Sequence, residues 1–330
     1  MRVRQAFGEG IRKAGRLKSM ALLLYGVNLI FGLAVILPAA PLISNGLAHS
    51  RYADHLMGGF DLAWLSELYH QFPALPRILF VSLLVGGILY LLLNVFMTGG
   101  LLSVLESRQE RVSLKVFFGG CGEYFLPLLR VFLFSLPVYF LVAVFYLAVG
   151  RFWSFWFRDS TEAWPVLITG WIRILVMLAL VAVVTMIFDY VRIRLVTGGE
   201  RRAFFALRKV VVWVGGNLRK TLMLDLSFLL LAVFLYVVYH LLSELPPQSS
   251  VLAVAVAILL QQGYLVSRAW TRIAFYAGER ALYRELIPAG VVSPVEEAEP
   301  PAPEAGESVQ TGAPAESFET PETPPVESGR

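Results

Sequence analysis

Charged side chains and cysteine are both scarce in this sequence of 330 residues. Asp, Glu, Lys and Arg make up 16% of the chain, whereas soluble domains carry about 25%. The low charge argues against a large domain surrounded by water. The single cysteine, Cys121, excludes an intrachain disulfide, and we expect it to act as a small packing residue.

Sequence signatures of catalysis are missing as well. The chain has no G-x-S-x-G nucleophile elbow, no P-loop and no H-E-x-x-H zinc pattern. We therefore expect a non-enzymatic protein with no cofactor and no metal. The polar segment 44–77 does contain metal-ligand residue types, but their spacing matches no compact zinc pattern and favours a solvated loop. These residues are His49, His55, His70, Asp54, Asp61 and Glu67.

Apolar residues, in contrast, are abundant. They make up 57% of the chain, and the mean hydropathy is +0.66. A helix needs about 20 apolar residues to cross a hydrocarbon layer of about 30 Å. Six segments approach or exceed that length, so the sequence predicts an all-α integral membrane protein with about six spans in a membrane domain covering 1–288. The spans are 20–43, 78–100, 125–148, 165–188, 221–242 and 251–276.

The distribution of Lys and Arg predicts the orientation of these spans. Basic residues cluster before span one, between spans two and three, between spans four and five, and after span six. All four clusters fall on one side of a six-span chain, and loops on the cytoplasmic side carry the excess of positive charge. We expect a multi-pass protein of the bacterial cytoplasmic membrane with both termini in the cytoplasm. Span one is too long for a signal peptide and has no clean A-x-A cleavage site.

The C-terminal segment 289–330 differs from everything before it. It holds nine Glu and one Arg, a net charge of −8, which leaves +12 for the rest of a chain whose formal charge is +4. It is rich in Pro, Glu, Ala and Ser and has little to bury, so we expect a disordered cytoplasmic tail that is free to contact a protein partner.

Three segments that precede outward-going spans resemble one another. They read RQAFGEGIRKAGRLK from Arg4, RVSLKVFFGGCGEYFLPLLR from Arg111 and RRAFFALRKVVVWVGGNLRK from Arg201. Their apolar residues recur every three to four positions, which is typical of an amphipathic helix lying in the membrane interface. The pattern favours three repeats of an interfacial helix plus a two-span hairpin, although any basic flank before a span would look similar. The expected anionic-lipid contacts are Arg12, Lys13, Arg16, Arg201, Arg202, Arg208 and Lys209.

The run DYVRIRLV from Asp189, followed by ERRAFFALRK and GGNLRKTL, carries a family resemblance. It is similar to uncharacterised bacterial multi-pass proteins and to the membrane domain fused to some glycerophosphodiester phosphodiesterases. The resemblance covers residues 1–285 in layout and about 189–222 in motif. The resemblance does not imply phosphodiesterase activity. The phosphodiesterase domain of the fused relatives requires a barrel of about 250 residues, and this sequence has no segment of that length outside the membrane domain.

Polar residues inside spans are candidates for a functional site. They fit either a polar pathway or charge cluster, or local structural roles: amide hydrogen bonds between helices, snorkelling of Arg130 and pairing of Asp189 with Arg192. At least one of the two adjacent glutamines is expected to face the bundle interior, because an amide facing lipid stays unsatisfied. The candidates are Asn28, Asn94, Arg130, Asp189, Asp225, Gln261 and Gln262.

Three functions are therefore open. The first is a non-enzymatic protein that organises the cytoplasmic membrane through basic interfacial helices and the acidic tail, with membrane lipids as partners and no role for nucleic acid. The second is a transporter or lipid-handling protein, since transporters are often built from repeats. The third, a lipid-directed enzyme, needs convergent acid–base groups, and only Asp189 and Asp225 come close. The sequence favours the first.

Overall fold

Seven long helices, and no strand, form the described part of the chain. Their bounds are α1 Val3–Arg16, α2 Lys18–Ile36, α3 Leu75–Glu106, α4 Leu114–Trp156, α5 Ala163–Thr197, α6 Ala203–Ser243 and α7 Val251–Leu286. The computed structural model describes residues 3–38, 40–41, 44–45, 66, 69–107, 113–156, 163–198, 202–244 and 251–287.

The predicted tail 289–330 lies outside the described residues, and so do Arg201 and most of the segment 44–77. Helices α2 to α7 are all long and apolar enough to cross a membrane. The predicted class, an all-α membrane protein with six spans, is thereby confirmed.

Several helices extend well beyond the predicted spans. Helix α4 has 43 residues, which at 1.5 Å per residue is about 64 Å, roughly twice the hydrocarbon thickness. Its first turns are the second of the three similar segments. In α6, likewise, the third similar segment and the span after it share one helix. Only the first similar segment forms a helix of its own, α1.

Each similar segment packs on the end of an inward-going span. The start of α4 packs on the end of α3, where Gly120 lies against Gly99 and Ser103, and α1 packs on the end of α7, where Gly10 lies against Ala274 and Gly278. The start of α6 packs on the end of α5, where Trp213 contacts Tyr190. The same arrangement therefore occurs three times, and α1 completes it by packing on α7, the last helix of the described residues.

A local irregularity in the helix lies near the C-terminal end of two of the three segments. Leu17, with φ −98° and ψ 36°, separates α1 from α2. Asn217, with φ −124° and ψ 18°, bends α6. In the remaining segment Pro127 stands inside α4, where it removes one backbone hydrogen bond. These positions let a segment and its span take different directions.

The buried core lies at one end of the bundle. We call it the packed end: α1, the starts of α4 and α6, and the last turns of α3, α5 and α7. It holds most of the buried side chains, including Tyr190, Tyr283 and Phe117. The opposite half, the open half, exposes large apolar side chains such as Phe140 at 68% and Leu259 at 70%. In a membrane protein such side chains contact lipid, which makes their exposure favourable.

Close helix approach at the packed end depends on small side chains. Ala6, Gly10 and Ala14 form the buried face of α1. A Cβ added at Gly10 would lie 2.5 Å from the carbonyl oxygen of Ala274 and 3.0 Å from the amide nitrogen of Gly278 in α7. The apolar side of α1 therefore faces α7 and α6, whereas an interfacial helix would turn it toward lipid. The backbones can approach because neither helix has bulk at the crossing.

Candidate functional site: a buried polar network at the packed end

Asp189 in α5 is at the centre of a buried polar network. Its Oδ1 accepts a hydrogen bond from Arg192 at 2.6 Å and from the Tyr276 hydroxyl at 3.2 Å. The Asp189 side chain is only 7% exposed. The expected pairing of Asp189 with Arg192 one turn later is confirmed, and Tyr276 extends the pair from α5 to α7.

Arg272 of α7 connects this pair to α3. Its guanidinium donates to Asn94 Oδ1 at 2.5 Å and to Thr98 Oγ1 at 2.8 Å. It also lies close enough to Asp189 to attract it electrostatically. Asn94 therefore takes part in a hydrogen bond between helices, as one of the two alternatives for this residue predicted. Its partner is an arginine.

Glu106 joins three helices at the last turn of α3. It accepts Arg280 Nε at 2.8 Å and contacts Arg284, both from α7. Thr197, at the end of α5, donates to the same carboxylate at 3.4 Å. Carboxylate–guanidinium hydrogen bonds are about twice as strong as neutral ones, so Glu106 holds the inward-going spans together.

Lys13 attaches α1 to this assembly. Its Nζ donates to the carbonyl oxygen of Leu105 at 2.7 Å, one of the carbonyls left free at the end of α3. Burial, followed by the positive charge of Arg280, lowers the pKa of Lys13 to about 8, while Glu9 acts in the opposite direction.

Four side chains in the same region have buried polar atoms with no hydrogen-bond partner among the described residues. Both carboxyl oxygens of Glu279 are of this kind, as are Asp225 Oδ1, the Tyr190 hydroxyl and Trp213 Nε1. Glu279 is completely buried and interacts electrostatically with Asp189 and Asp225. Unpartnered buried polar groups are costly. Still, no group of three His, Cys, Asp or Glu in the described residues is arranged to hold a metal ion.

The predicted span residues do not form one cluster. Asn28 donates to the Leu24 carbonyl of its own helix at 2.8 Å. Gln262 accepts from the Tyr25 hydroxyl at 2.6 Å, so one of the two glutamines does face a neighbouring helix. Gln261 is exposed. Asn28 and Gln262 therefore make separate structural contacts.

Arg130 also stays outside the network. It is exposed on α4, whereas Asp189 and Asp225 are both in the buried region. Arg130 therefore does not lie between these two carboxylates, and its exposure agrees with the alternative in which it snorkels. Arg192 and Arg272 attract Asp189 instead, because they project from the helix faces that meet at the packed end.

The predicted lipid contacts divide into three groups. Lys13 is half-buried and bonded to α3, so it belongs to the protein interior. Arg201 lies outside the described residues. The remaining five are exposed at the packed end: Arg12, Arg16, Arg202, Arg208 and Lys209.

The polar residues in the last turns of α7 were not predicted from the sequence as a site. Arg272 and Arg280 counted only toward the basic cluster in the last turns of span six and after it, and Tyr276 and Glu279 were not among the candidates. A signal was present, since Ile273, Tyr276, Arg280 and Tyr283 recur every three to four residues, as expected for a buried helix face.

Two cavities lie between paired spans. One, of about 150 Å³, is enclosed by α4 and α5 in the open half. There Arg173 stacks on the Tyr146 ring, 4.5 Å from its centroid, and donates to its hydroxyl at 3.1 Å. The other, of about 290 Å³, lies between α6 and α7 and includes Arg268 and Arg272. Asn28, Asn94 and Gln261 line neither of them.

The helices and the buried network together define an all-α, multi-pass membrane protein. No family model, no curated protein and no solved structure matches this chain.

Proposed function

We propose that this chain is a non-enzymatic protein of the bacterial cytoplasmic membrane that holds anionic lipid at its packed end. In this proposal the packed end and both termini face the cytoplasm, as the excess of Lys and Arg at that end favours. The membrane-domain resemblance around 189–222 is compatible with such a role and adds no enzymatic activity.

The observation that carries the proposal is the exposed surface at the start of α6. Its buried face is made of Ala203, Ala206, Val210 and Val214. The other face combines exposed Arg202, Arg208 and Lys209 with large apolar side chains: Phe204 is 62% exposed, Phe205 51% and Val212 72%.

A surface of this composition suits the interface between lipid headgroups and acyl chains. Its apolar side chains insert below the headgroups, while each Lys or Arg near an anionic surface contributes about 1 kcal/mol. Exposed Arg12 and Arg16 on α1 add positive charge at the same end. The acidic segment 289–330 is proposed to contact a basic protein partner.

The test compares two single charge reversals in the full-length protein. Arg208→Glu changes the packed end and Arg77→Glu changes an exposed arginine at the far end of α3. Each variant is reconstituted in phosphatidylcholine vesicles containing one fifth phosphatidylglycerol. We expect Arg208→Glu to reduce the enrichment of phosphatidylglycerol around the protein severalfold, since it removes one charge and adds an opposite one. Equal effects of the two reversals would contradict the proposal.

The orientation is tested separately. Reporters fused at Arg202 and at Asp159 are expected to report opposite compartments, with Arg202 in the cytoplasm. Finding both in one compartment would exclude the proposed topology.

A second candidate, a transporter, is favoured by buried carboxyl oxygens of Glu279 and Asp225 that lack hydrogen-bond partners among the described residues, because buried ionisable groups of this kind cluster at functional sites. Glu279→Gln separates the two functions. A transporter loses proton-coupled uptake in vesicles, whereas a lipid-holding protein keeps its phosphatidylglycerol enrichment unchanged.

A further inference from the structure

Glu279 in α7 is a completely buried carboxyl group without a hydrogen-bond partner. The residue is 0% exposed, and neither of its carboxyl oxygens has a partner among the described residues. Other side chains and backbone of the protein cover it entirely, so its surroundings do not depend on lipid. A carboxylate in such a position has lost its hydration and gained no hydrogen bond in exchange.

Asp225 in α6 is a second carboxyl group in the same region. Its Oδ1 is buried and unpartnered, and its charge acts on Glu279. The negative charges of Glu279 and Asp225 also act on Tyr190 in α5, whose hydroxyl is unpartnered too. Trp213, with an unpartnered Nε1, has its ring 5.1 Å from that of Tyr190. Two carboxyl groups and two hydrogen-bond donors therefore lie in one buried region without direct bonds.

The positive charge nearest to these carboxyl groups is already in use. Arg192 attracts Glu279, but it donates a hydrogen bond to Asp189 at 2.6 Å. Asp225, in turn, is acted on by the negative charge of Asp189. Asp189 is therefore neutralised by Arg192, whereas Glu279 and Asp225 have no guanidinium of their own among the described residues.

The other charged and titratable groups on the helices packed against α7 have partners elsewhere or are exposed. Glu106 of α3 pairs with two arginines of α7, Lys13 of α1 is bonded to α3, and Arg194 of α5 donates to Tyr283 at 2.9 Å. The remaining groups of this kind are Glu9, Tyr25, Arg272, Tyr276, Arg280 and Arg284, with exposed Arg208, Lys209, Arg219 and Lys220 on α6.

A buried carboxyl group without a counter-ion becomes neutral by binding a proton. When two carboxyl groups interact, the negative charge of one favours a proton on the other. Glu279 is completely buried and Asp225 only half-buried, so the negative charge is better solvated on Asp225 and the proton belongs on Glu279. A metal ion does not fit here, because no group of three ligating side chains in the described residues is arranged to hold one.

We propose that Glu279 and Asp225 form a buried binding site for one proton, which Glu279 holds at neutral pH. The proton comes from hydronium in the aqueous phase and forms an O–H bond with one carboxyl oxygen of Glu279, leaving water. This inference goes beyond the proposed lipid-holding role, since it needs no lipid. Release of the proton leaves an uncompensated negative charge among α5, α6 and α7, so the site makes their packing sensitive to pH.

The experiment is infrared spectroscopy of the full-length protein in detergent at neutral pH, which detects the C=O stretch of protonated carboxyl groups. We expect the wild type to show this band and Glu279→Gln to lose it. Glu123→Gln, which changes an exposed carboxyl group on α4, is expected to keep it. Asp225→Asn is expected to keep the band as well, which tests the assignment to Glu279 even if Glu279→Gln fails to fold.

Thermal unfolding follows the same proton through stability. The unfolded chain releases it, because an exposed glutamate is ionised near neutral pH, so the folded state binds more protons and its stability falls as the pH rises. We expect the melting temperature of the wild type, relative to Glu279→Gln, to decrease between pH 5 and pH 8. The difference between the wild type and Glu123→Gln is expected to stay constant.

Three results would overturn the inference. Absence of the band in the wild type would show that Glu279 is ionised at neutral pH. A band that persists in Glu279→Gln and disappears in Asp225→Asn would place the proton on Asp225. A constant difference in melting temperature between the wild type and Glu279→Gln would show that folding binds no proton at this site.

Discussion

Three carboxyl groups at the packed end differ sharply in their partners. Glu106 is contacted by two arginines and a threonine, and Asp189 by an arginine and a tyrosine. Glu279 is more deeply buried than either and has no hydrogen-bond partner among the described residues. Removing one member of a buried ion pair costs about 3–5 kcal/mol because the partner charge is left unpaired, so substitutions of Asp189 or Glu106 are expected to destabilise the helix ends. A substitution of Glu279 leaves no hydrogen-bond partner unpaired among the described residues, which makes Glu279 the best position for testing a role other than stability.

Lys13 provides a prediction about pH. Its pKa is about 8 in the folded protein and about 10.5 when α1 is detached, so the detached state binds more protons between those values. Stability therefore rises with pH from about 8 to about 10.5 and is unaffected by this group outside that range. We expect the melting temperature of the wild type, relative to Lys13→Met, to increase between pH 7 and pH 10.

The control for this prediction is Lys18→Met, which changes an exposed lysine at the start of α2. Its melting temperature is expected to stay at a constant difference from the wild type over the same range. A constant difference for Lys13→Met as well would mean that the docking of α1 does not depend on the Lys13 proton.

At the scale of helices, the crossing of α1 over α7 depends on the absence of a side chain at Gly10. Helix α1 also reaches α6, where the Phe7 and Phe228 rings lie 4.8 Å apart. Because the helices around Gly10 are closely packed, an added methyl group would force side chains or backbone to move and would destabilise the packing. By itself, α1 has 14 residues, too few for a stable isolated helix in water, so its structure depends on this docking.

Gly10→Ala and Gly8→Ala make a matched pair for testing the docking. A Cβ at Gly10 would lie 2.9 Å from Phe228, whereas one at Gly8 meets nothing within 4 Å. We expect Gly10→Ala to destabilise the protein by about 1–3 kcal/mol and Gly8→Ala to stabilise it by up to about 1 kcal/mol through helix propensity. Thermal unfolding in detergent measures both. If the two variants unfolded alike, close packing of α1 on α7 would be excluded.

At the scale of the whole molecule, charge is divided between a basic body and an acidic C-terminal segment. The body, Met1–Val292, is one compact unit, and most of the segment 289–330 falls outside it. Because that segment has a net charge of −8, its removal raises the formal charge of the chain from +4 to +12. We therefore expect the segment to weaken the attraction of the protein for anionic lipid through electrostatic repulsion, which acts over a long range at low salt.

Deletion of 289–330 is accordingly expected to strengthen the attraction of phosphatidylglycerol severalfold at low ionic strength and to leave the melting temperature unchanged. The enrichment assay in vesicles, repeated at 0.02 M and 0.5 M salt, measures the first effect, and high salt should abolish it. A scrambled tail of the same composition is the control and should behave like the wild type. A large drop in melting temperature on deletion would show that the segment contributes to the fold.

Side-chain contacts could be predicted from the sequence only where the two residues are close together along the chain. The pairing of Asp189 with Arg192 was predictable because the two are one helical turn apart. The contacts of Arg272 with Asn94 and of Arg280 with Glu106 join residues more than 170 positions apart. Nothing in the local pattern of either segment indicates such a partner. For the same reason the sequence left open whether Arg130 approaches the carboxylates, and in the structure it is exposed on α4.

The amino-acid sequence alone determined the all-α class and the number of spans, because lipid imposes a minimum apolar length and requires internally bonded backbone. Only the tertiary structure decided which helix ends meet, and hence that α1 packs on α7 and that the last turns of α7 carry the buried network. Which helix faces pack against one another depends on their shapes at close contacts, such as those of Gly10 and Gly278. A hydropathy pattern contains no information about the shape of a helix that is distant in the sequence.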